Sequence, residues 1–207
     1  MTDPPASPGT PARLVVLASG AGSNLGAILT ACATGALPAV IVGVASDRPT
    51  AGALARARRA GVPTAVIPAT PQRAVSDHRL AETVARWAPD LVVLAGYLRI
   101  LGPAFIDPQR ARGVRIINLH PSLPGDLIGL GAISRAHAEA VAGQRQQTGV
   151  MVHEVIDAGV DDGPVIATEC VPIPVGMDLA EFTALMHTVE HRVLLRALSG
   201  LLDRPRP

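Results

Sequence analysis

"RLVVLASGAGSN", Arg13 to Asn24, carries an apolar run into a Gly/Ser turn, and "LGAILTACATG" behind it is helical in composition. The stretch reads strand, loop, helix. The same alternation continues through "AVIVGVASD" (strand), "AGALARARRAG" (helix), "PTAVIP" (strand), "HRLAETVARWA" (helix, with Leu80, Val84 and Trp87 on one face) and "DLVVLAG" (strand). "GVRIINLH" is a fifth strand, and "GAISRAHAEAVAGQ" is a helix closed by Gly143. These strands are nearly all-apolar rather than alternating, as parallel strands covered on both faces should be. "TGVMVHEV" and "PVIATECVPIP" follow one another without a helix between them, which predicts antiparallel strands at one edge, before a long helix from about Asp178 to Leu202. The expected fold is α/β: a doubly wound, mostly parallel, Rossmann-like sheet with an antiparallel edge.

Composition limits the chemistry. The 207 residues fit one domain or two closely packed halves, and 48% are hydrophobic with only 2% aromatic, so the core must be built from Ala, Val, Leu and Ile. Every basic residue is arginine, and the net charge of +1 gives no broad basic field for nucleic acid. The absence of lysine removes Schiff-base chemistry and the Walker phosphate loop. Phosphate must then be held by backbone amides, a helix terminus or arginine. Cys32 and Cys170 are in no CxxC spacing and read as thiols in a reducing, cytoplasmic setting. Residues 1–12, "MTDPPASPGTPA", have neither a basic start nor an apolar run and read as a disordered Pro-rich tail, with a second short tail at 203–207. No apolar run reaches the roughly 18 residues of a membrane span.

In doubly wound sheets, ligands bind beyond the carboxyl ends of the strands. Three segments fall there: "SGAGSN", "AGYLRIL" and "NLHPSLPG". In "SGAGSNLG", Gly20, Gly22 and Gly26 flank a strand-to-helix turn whose amides suit an anion, with Ser23 as a candidate cap and Asn24 as a polar group in the turn. Read as GxGxxxG, with Asp47 closing the second strand, the turn also suits a nicotinamide oxidoreductase. "HTVEH", His187 to His191, matches HxxEH, yet no His or Cys follows it to complete a zinc site, so no metal is expected. Asn118 and His120 are two apart on a strand, so they project from one face at its carboxyl end, where Pro121 stops the strand.

Together, "SGAGSN", "VLAGYLRIL", "INLHPSLPG", "TGVMVHEVIDAGVDDGPVI" and "HTVEH", in this order and spacing, resemble the phosphoribosylglycinamide formyltransferases of the folate-dependent formyltransferase family. The resemblance runs from about Arg13 to Leu201. It implies one domain over 13–202, with a nucleotide-binding half at about 13–110 and a folate and catalytic half at about 111–202. It also implies formyl transfer from 10-formyltetrahydrofolate to phosphoribosylglycinamide in purine biosynthesis, without metal, by a monomer or homodimer acting on small molecules. A deformylase sharing the same Asn, His and Asp, and a binding module without catalysis, are the alternatives.

The resemblance implies roles residue by residue. Asn118 and His120 would serve the oxyanion, and Asp161, rather than its neighbour Asp162, would be the matching acid. Gly22, Ser23 and Asn24 would hold the phosphate and Glu190 the ribose hydroxyls, with His187 beside them. Leu98, Arg99, Ile100, Leu101, Ile106 and Asp157 would line the folate pocket, and Arg73 matches a basic position near it. The likeness weakens in "HPSLPGDLIGLGA": a leucine is lost, Ile128 replaces a proline and Gly131 stands where histidine is usual.

Overall fold

The apolar runs become strands of one seven-stranded sheet, ordered β3-β2-β1-β4-β5-β6-β7. In chain order the elements are β1 (Ala12–Leu17), α1 (Ser23–Ala33), β2 (Ala39–Ser46), α2 (Gly52–Arg59), β3 (Thr64–Val66), α3 (Arg73–Arg86), β4 (Leu91–Leu94), α4 (Pro103–Ala111), β5 (Arg115–His120), α5 (Ala132–Val141), β6 (Gln147–Glu154), β7 (Val165–Pro172) and α6 (Leu179–Leu202). The computed structural model describes residues 10–203. Most of the expected N-terminal tail and nearly all of the C-terminal one lie outside them; at the inner boundary, strand β1 begins at Ala12, inside the segment read as tail.

Strands β1 to β5 are parallel, while β6 runs antiparallel to β5 and β7 to β6, as the missing helix between the last two runs predicts. Both faces are covered, because side chains alternate along each strand. Leu14 and Val16 of β1 join a core under α1, α2, α5 and α6, while Val15 and Leu17 join a second core under α3 and α4. This explains why the parallel strands show no polar face.

Two features escaped the reading of the sequence. "PAFIDPQRA" is a helix, α4, although it contains Pro103 and Pro108. Pro103 sits in the first turn, where its missing N–H costs nothing, and burial of Phe105, Ile106 and Gln109 holds the rest against the second core. Helix α3 begins five residues earlier than its apolar face suggests, at Arg73 rather than His78.

Gly43 on β2 shows how closely the helical layer approaches the sheet: a Cβ there would lie 2.2 Å from the Trp87 ring at the end of α3. Gly43→Ala is expected to lower stability by about 1–3 kcal/mol, because the indole must shift out of a packed layer. A urea unfolding curve with an unchanged midpoint would refute this.

Strand order places the functional residues. The chain leaves β1 toward β2 on one side and returns through β4 on the other, so the crevice of the sheet opens between the ends of β1 and β4. There Ser19 donates its amide to the Gly96 carbonyl at 2.9 Å, joining the two strand ends.

Candidate active site

Beyond the carboxyl ends of β1, β4 and β5 lies a cleft of about 540 Å³. Its lining includes Gly22, Ser23, Asn24, Leu98 through Leu101, Asn118, His120, Asp157, Asp161, His187 and Glu190. Arg73 and Ile106 stand apart from it. Ile106 is a core residue of α4 facing a smaller cavity of about 190 Å³, and Val155 lines both cavities. Arg73 lies at the start of α3 with its Nε 3.9 Å from Asp77 Oδ2.

The glycine turn is shaped by close packing. Gly22, at φ 75, is the N-cap of α1, so the cap is this glycine and not Ser23. A Cβ on Gly22 would meet the Ala53 backbone at 2.7 Å, which leaves no room for any other residue. No side chain caps α1, so its first amides have no protein partner from that source, and they border the cleft. Asn24 Nδ2 donates to Glu190 Oε2 at 2.9 Å, while Asn24 Oδ1 is buried without a partner. An orphaned acceptor beside unpaired amides suits a ligand carrying both phosphate and donor groups.

Glu190 is presented by α6, whose start is fixed by a capping box: Asp178 accepts from the Glu181 amide and Glu181 from the Asp178 amide. His187 and Glu190, three apart, face the cleft, while Phe182, Met186, Val189 and Val193 pack into the core. Burial pushes the Glu190 carboxyl above its usual range, against the opposing pull of the Asn24 amide and His187. Among the described residues there is no group of three or more His, Cys, Asp or Glu side chains that could hold a metal ion; within "HTVEH", His187 and Glu190 line the cleft. Asp47 is likewise engaged: its Oδ1 accepts from Ser19 Oγ at 2.6 Å, and that same Oγ accepts the Leu98 amide at 2.9 Å. The acid that suggested a dinucleotide site thus braces the segment after β4.

That segment is held on its other side by Asp77, buried on α3, whose Oδ2 accepts the Gly102 amide at 2.9 Å. Arg99 lies near the same carboxylate, 3.8 Å from Oδ1, and donates to Ser76 Oγ at 2.7 Å. Tyr97 is buried in the same segment, and burial pushes its hydroxyl up to about 12.

Asn118, His120 and Asp161 converge. Asn118 Nδ2 donates to Asp161 Oδ1 at 3.0 Å, and Asp161 Oδ2 accepts the Gly129 amide at 2.9 Å and lies 3.3 Å from His120 Nδ1. Asp161 holds φ at 55, a left-handed conformation that Asp tolerates better than most residues and that recurs at functional sites. Burial raises the Asp161 carboxyl, but the nearby His153 ring, the Gly129 amide hydrogen bond and the charge of His120 outweigh it, so the group stays below the usual carboxylate range. His120 is 5% exposed, and burial holds its imidazole below its usual value against the pull of Asp161.

His153 is a member of this cluster that the sequence reading missed. It sits directly across from Asn118 in the β5–β6 register, with Nε2 3.0 Å from Asn118 Nδ2 and Nδ1 2.9 Å from the Glu154 carbonyl. The Glu154 carbonyl accepts the Nδ1 proton, which leaves Nε2 to accept from the Asn118 amide. The available signal was a lone imidazole inside the apolar run "GVMVHEV", a feature that strand periodicity treats as an ordinary buried histidine.

The family profile described as Formyl transferase matches residues 12–198. The chain belongs to the formyl transferase family. Among similar family members, the phosphoribosylglycinamide formyltransferase of Schizosaccharomyces pombe is 40% identical, over 92% of this chain and 97% of that protein. The Escherichia coli protein of the same name is 38% identical, over 92% and 87%. A crystal structure of phosphoribosylglycinamide formyltransferase from Bacillus halodurans superposes with a TM-score of 0.84 at 32% identity, covering 93% of this chain and 96% of the other. Glycinamide ribonucleotide transformylase 1 from Symbiobacterium toebii gives 0.84 at 36% identity, over 94% and 89%. The family likeness therefore extends across the whole sheet, including its antiparallel edge.

Proposed function

We propose that this chain is a phosphoribosylglycinamide formyltransferase, moving a formyl group from 10-formyltetrahydrofolate to the primary amine of phosphoribosylglycinamide. The observation that carries this reading is the meeting of Asn118, His120 and Asp161 in the cleft that also holds the α1 amides and Glu190.

The cleft divides by chemistry. The unpaired α1 amides around Gly22, Ser23 and Asn24 suit the phosphate, and Glu190 suits two vicinal ribose hydroxyls. Leu98, Arg99, Ile100, Leu101 and Asp157 supply an apolar wall and backbone groups for the folate. Ile106 packs with Leu101 in the second core, outside the cleft, and the Arg73 guanidinium lies beside Gly102 at the end of that segment, where it would serve as a basic group.

In the reaction, the amine forms a bond to the formyl carbon, the carbonyl oxygen becomes an oxyanion, and a proton passes from the new ammonium to the folate nitrogen as its bond to carbon breaks. Both protons of the Asn118 amide are already engaged, with Asp161 and with His153. The formyl oxygen shares the proton that faces His153 Nε2, since the hydrogen bond to the Asp161 carboxylate is the stronger of the two. The ring nitrogens of His120 face two oxygens, Leu127 O at 3.2 Å and Asp161 Oδ2 at 3.3 Å. Only an imidazolium can donate to both, yet burial disfavours that charge in the resting site. Negative charge growing on the substrate tips this balance, and the proton that the new ammonium gives up is held on His120 on its way to the folate nitrogen, so the stabilisation appears in the transition state rather than in the ground state.

The reading further implies a cytoplasmic enzyme, a monomer or homodimer, acting on small molecules; no helix among the described residues is long and apolar enough to cross a membrane. One assay tests the core of it: folate absorbance followed with 10-formyltetrahydrofolate, with and without phosphoribosylglycinamide. Turnover that needs the amine is expected. Turnover without it would mark a deformylase, and binding without turnover a non-catalytic module.

Glu190→Gln separates binding from stability. Its KM for the ribonucleotide is expected to rise about tenfold, through loss of a charged acceptor for hydroxyls. Because burial raises the folded-state pKa of Glu190, the wild type gains stability from this group in acid and loses it as pH climbs through the raised value. The variant should therefore melt a few degrees above wild type at about pH 7.5, with the gap closing near pH 4. A constant gap at both pH values would contradict this account.

His153→Ala is expected to lower kcat about tenfold while leaving KM little changed, since Asn118 loses the acceptor that orients it. Equal loss in the His153→Gln variant, whose amide oxygen can still accept, would argue against an orienting role.

A further inference from the structure

Arg145 lies in the turn between α5 and β6, outside the cleft lining, and holds the loop that contacts the triad. Its guanidinium meets Asp126 in a two-pronged contact, Nη1 to Oδ2 at 2.6 Å and Nη2 to Oδ1 at 2.9 Å. Its Nε donates to Glu139 Oε2 at 2.7 Å, and Nη1 also reaches the Gln147 carbonyl at 3.2 Å. The planar fork thereby ties the loop to the end of α5 and the start of β6, a geometry that lysine cannot reproduce.

The anchored loop touches the site at two residues, Leu127 and Gly129. Asp126 Oδ1 accepts the Leu127 amide at 3.0 Å, and the Leu127 carbonyl faces His120 Nε2. Leu127 has φ 26, a left-handed backbone that is strained for a branched residue and persists only when its surroundings hold it. Two residues on, the Gly129 amide donates to Asp161. The carbonyl against His120 belongs to the residue after the anchored Asp126, and the amide against Asp161 lies three residues after it.

We infer that the Arg145–Asp126 pair is a positioning device for catalysis, holding the Leu127 carbonyl on His120 and the Gly129 amide on Asp161 so that it governs turnover rather than substrate binding. Neither side chain borders the cleft, so neither is a catalytic residue. The inference rests on the formyltransferase reading above.

The test uses Arg145→Met, Asp126→Asn, the double variant and Arg145→Lys in the full chain. Each single variant should lose kcat by about tenfold or more with both KM values within about twofold, and the double variant should be no worse than the singles. Lysine should recover only part of the loss. In parallel, the His120 ring protons are followed by NMR across pH in wild type and Arg145→Met. The groups facing that ring are Asp161, His153 and Arg135, and loosening the loop re-exposes the ring, so its titration should move up toward the ordinary histidine value. If the wild type itself transfers no formyl group, the functional reading fails, but the NMR shift still reports on the clamp. The inference is overturned by folded single variants with unchanged kcat and unchanged His120 titration. A kcat that falls only in step with the folded fraction, with the titration unmoved, overturns it equally.

Discussion

Asp161→Asn should lower kcat by about 10³-fold or more while leaving the fold intact, as judged by circular dichroism and melting temperature. The substitution is nearly isosteric, and asparagine tolerates the left-handed backbone at φ 55, so no strain is added. The damage is chemical. Each carboxylate oxygen of Asp161 accepts an N–H, Oδ1 from Asn118 and Oδ2 from Gly129. An amide in the same place must turn its NH2 toward one of those donors, so one contact becomes a repulsion whichever way it rotates. His120 also loses the anion beside Nδ1, and with it the pull toward the imidazolium that the growing oxyanion requires. A variant with wild-type kcat would remove Asp161 from the reaction. Asp162→Asn is the control, and its kcat should stay within about twofold of wild type.

The sheet was legible because both of its signals are local. Nearly unbroken apolar runs mark strands covered on both faces, and the absence of a helix between "TGVMVHEV" and "PVIATECVPIP" marks the antiparallel edge. Helix α4 was not legible, because prolines veto a helix in propensity terms while burial of Phe105 and Ile106 supplies the tertiary contacts that override the veto. At the site, Asn118 and His120 could be placed together from their spacing on one strand. Their meeting with Asp161 depends on how the loop after β6 folds back, and only the resemblance carried that far. His153 was hidden for a different reason: its role arises from register across two strands, which no pattern along one strand reveals. Ile106 was read as a pocket wall because it follows the Leu98–Leu101 segment closely, whereas helical phase turns it into the core. Arg145 and Asp126 belong to the same class as His153, since their partnership joins a loop to a distant turn.

His120→Asn should lower kcat by about 10²–10³-fold, and it should also change the shape of the pH profile. Asparagine can still donate a hydrogen bond, so part of the oxyanion stabilisation survives, but it can neither gain nor pass on a proton. In the wild type, burial sets the imidazole pKa below its usual value, so the free site holds His120 neutral at neutral pH. Acid must then charge the ring before substrate arrives, removing the differential gain described above and producing an acid limb below the ordinary histidine range. The same sign governs stability: the unfolded chain takes up this proton at a higher pH than the folded one, so folding weakens as pH falls through the histidine range. Asp161, whose folded-state pKa is also depressed, extends that loss to lower pH. In His120→Asn, kcat/KM should be flat between about pH 5 and pH 7, and acid unfolding should begin at lower pH than in the wild type. An unchanged acid limb in the variant would assign the limb to another group, with His153 the first to be tested. Because His120 is nearly enclosed between the Leu127 carbonyl and Asp161, the two readouts should change together: the burial that makes its charge costly at rest is what lets the growing oxyanion act on it.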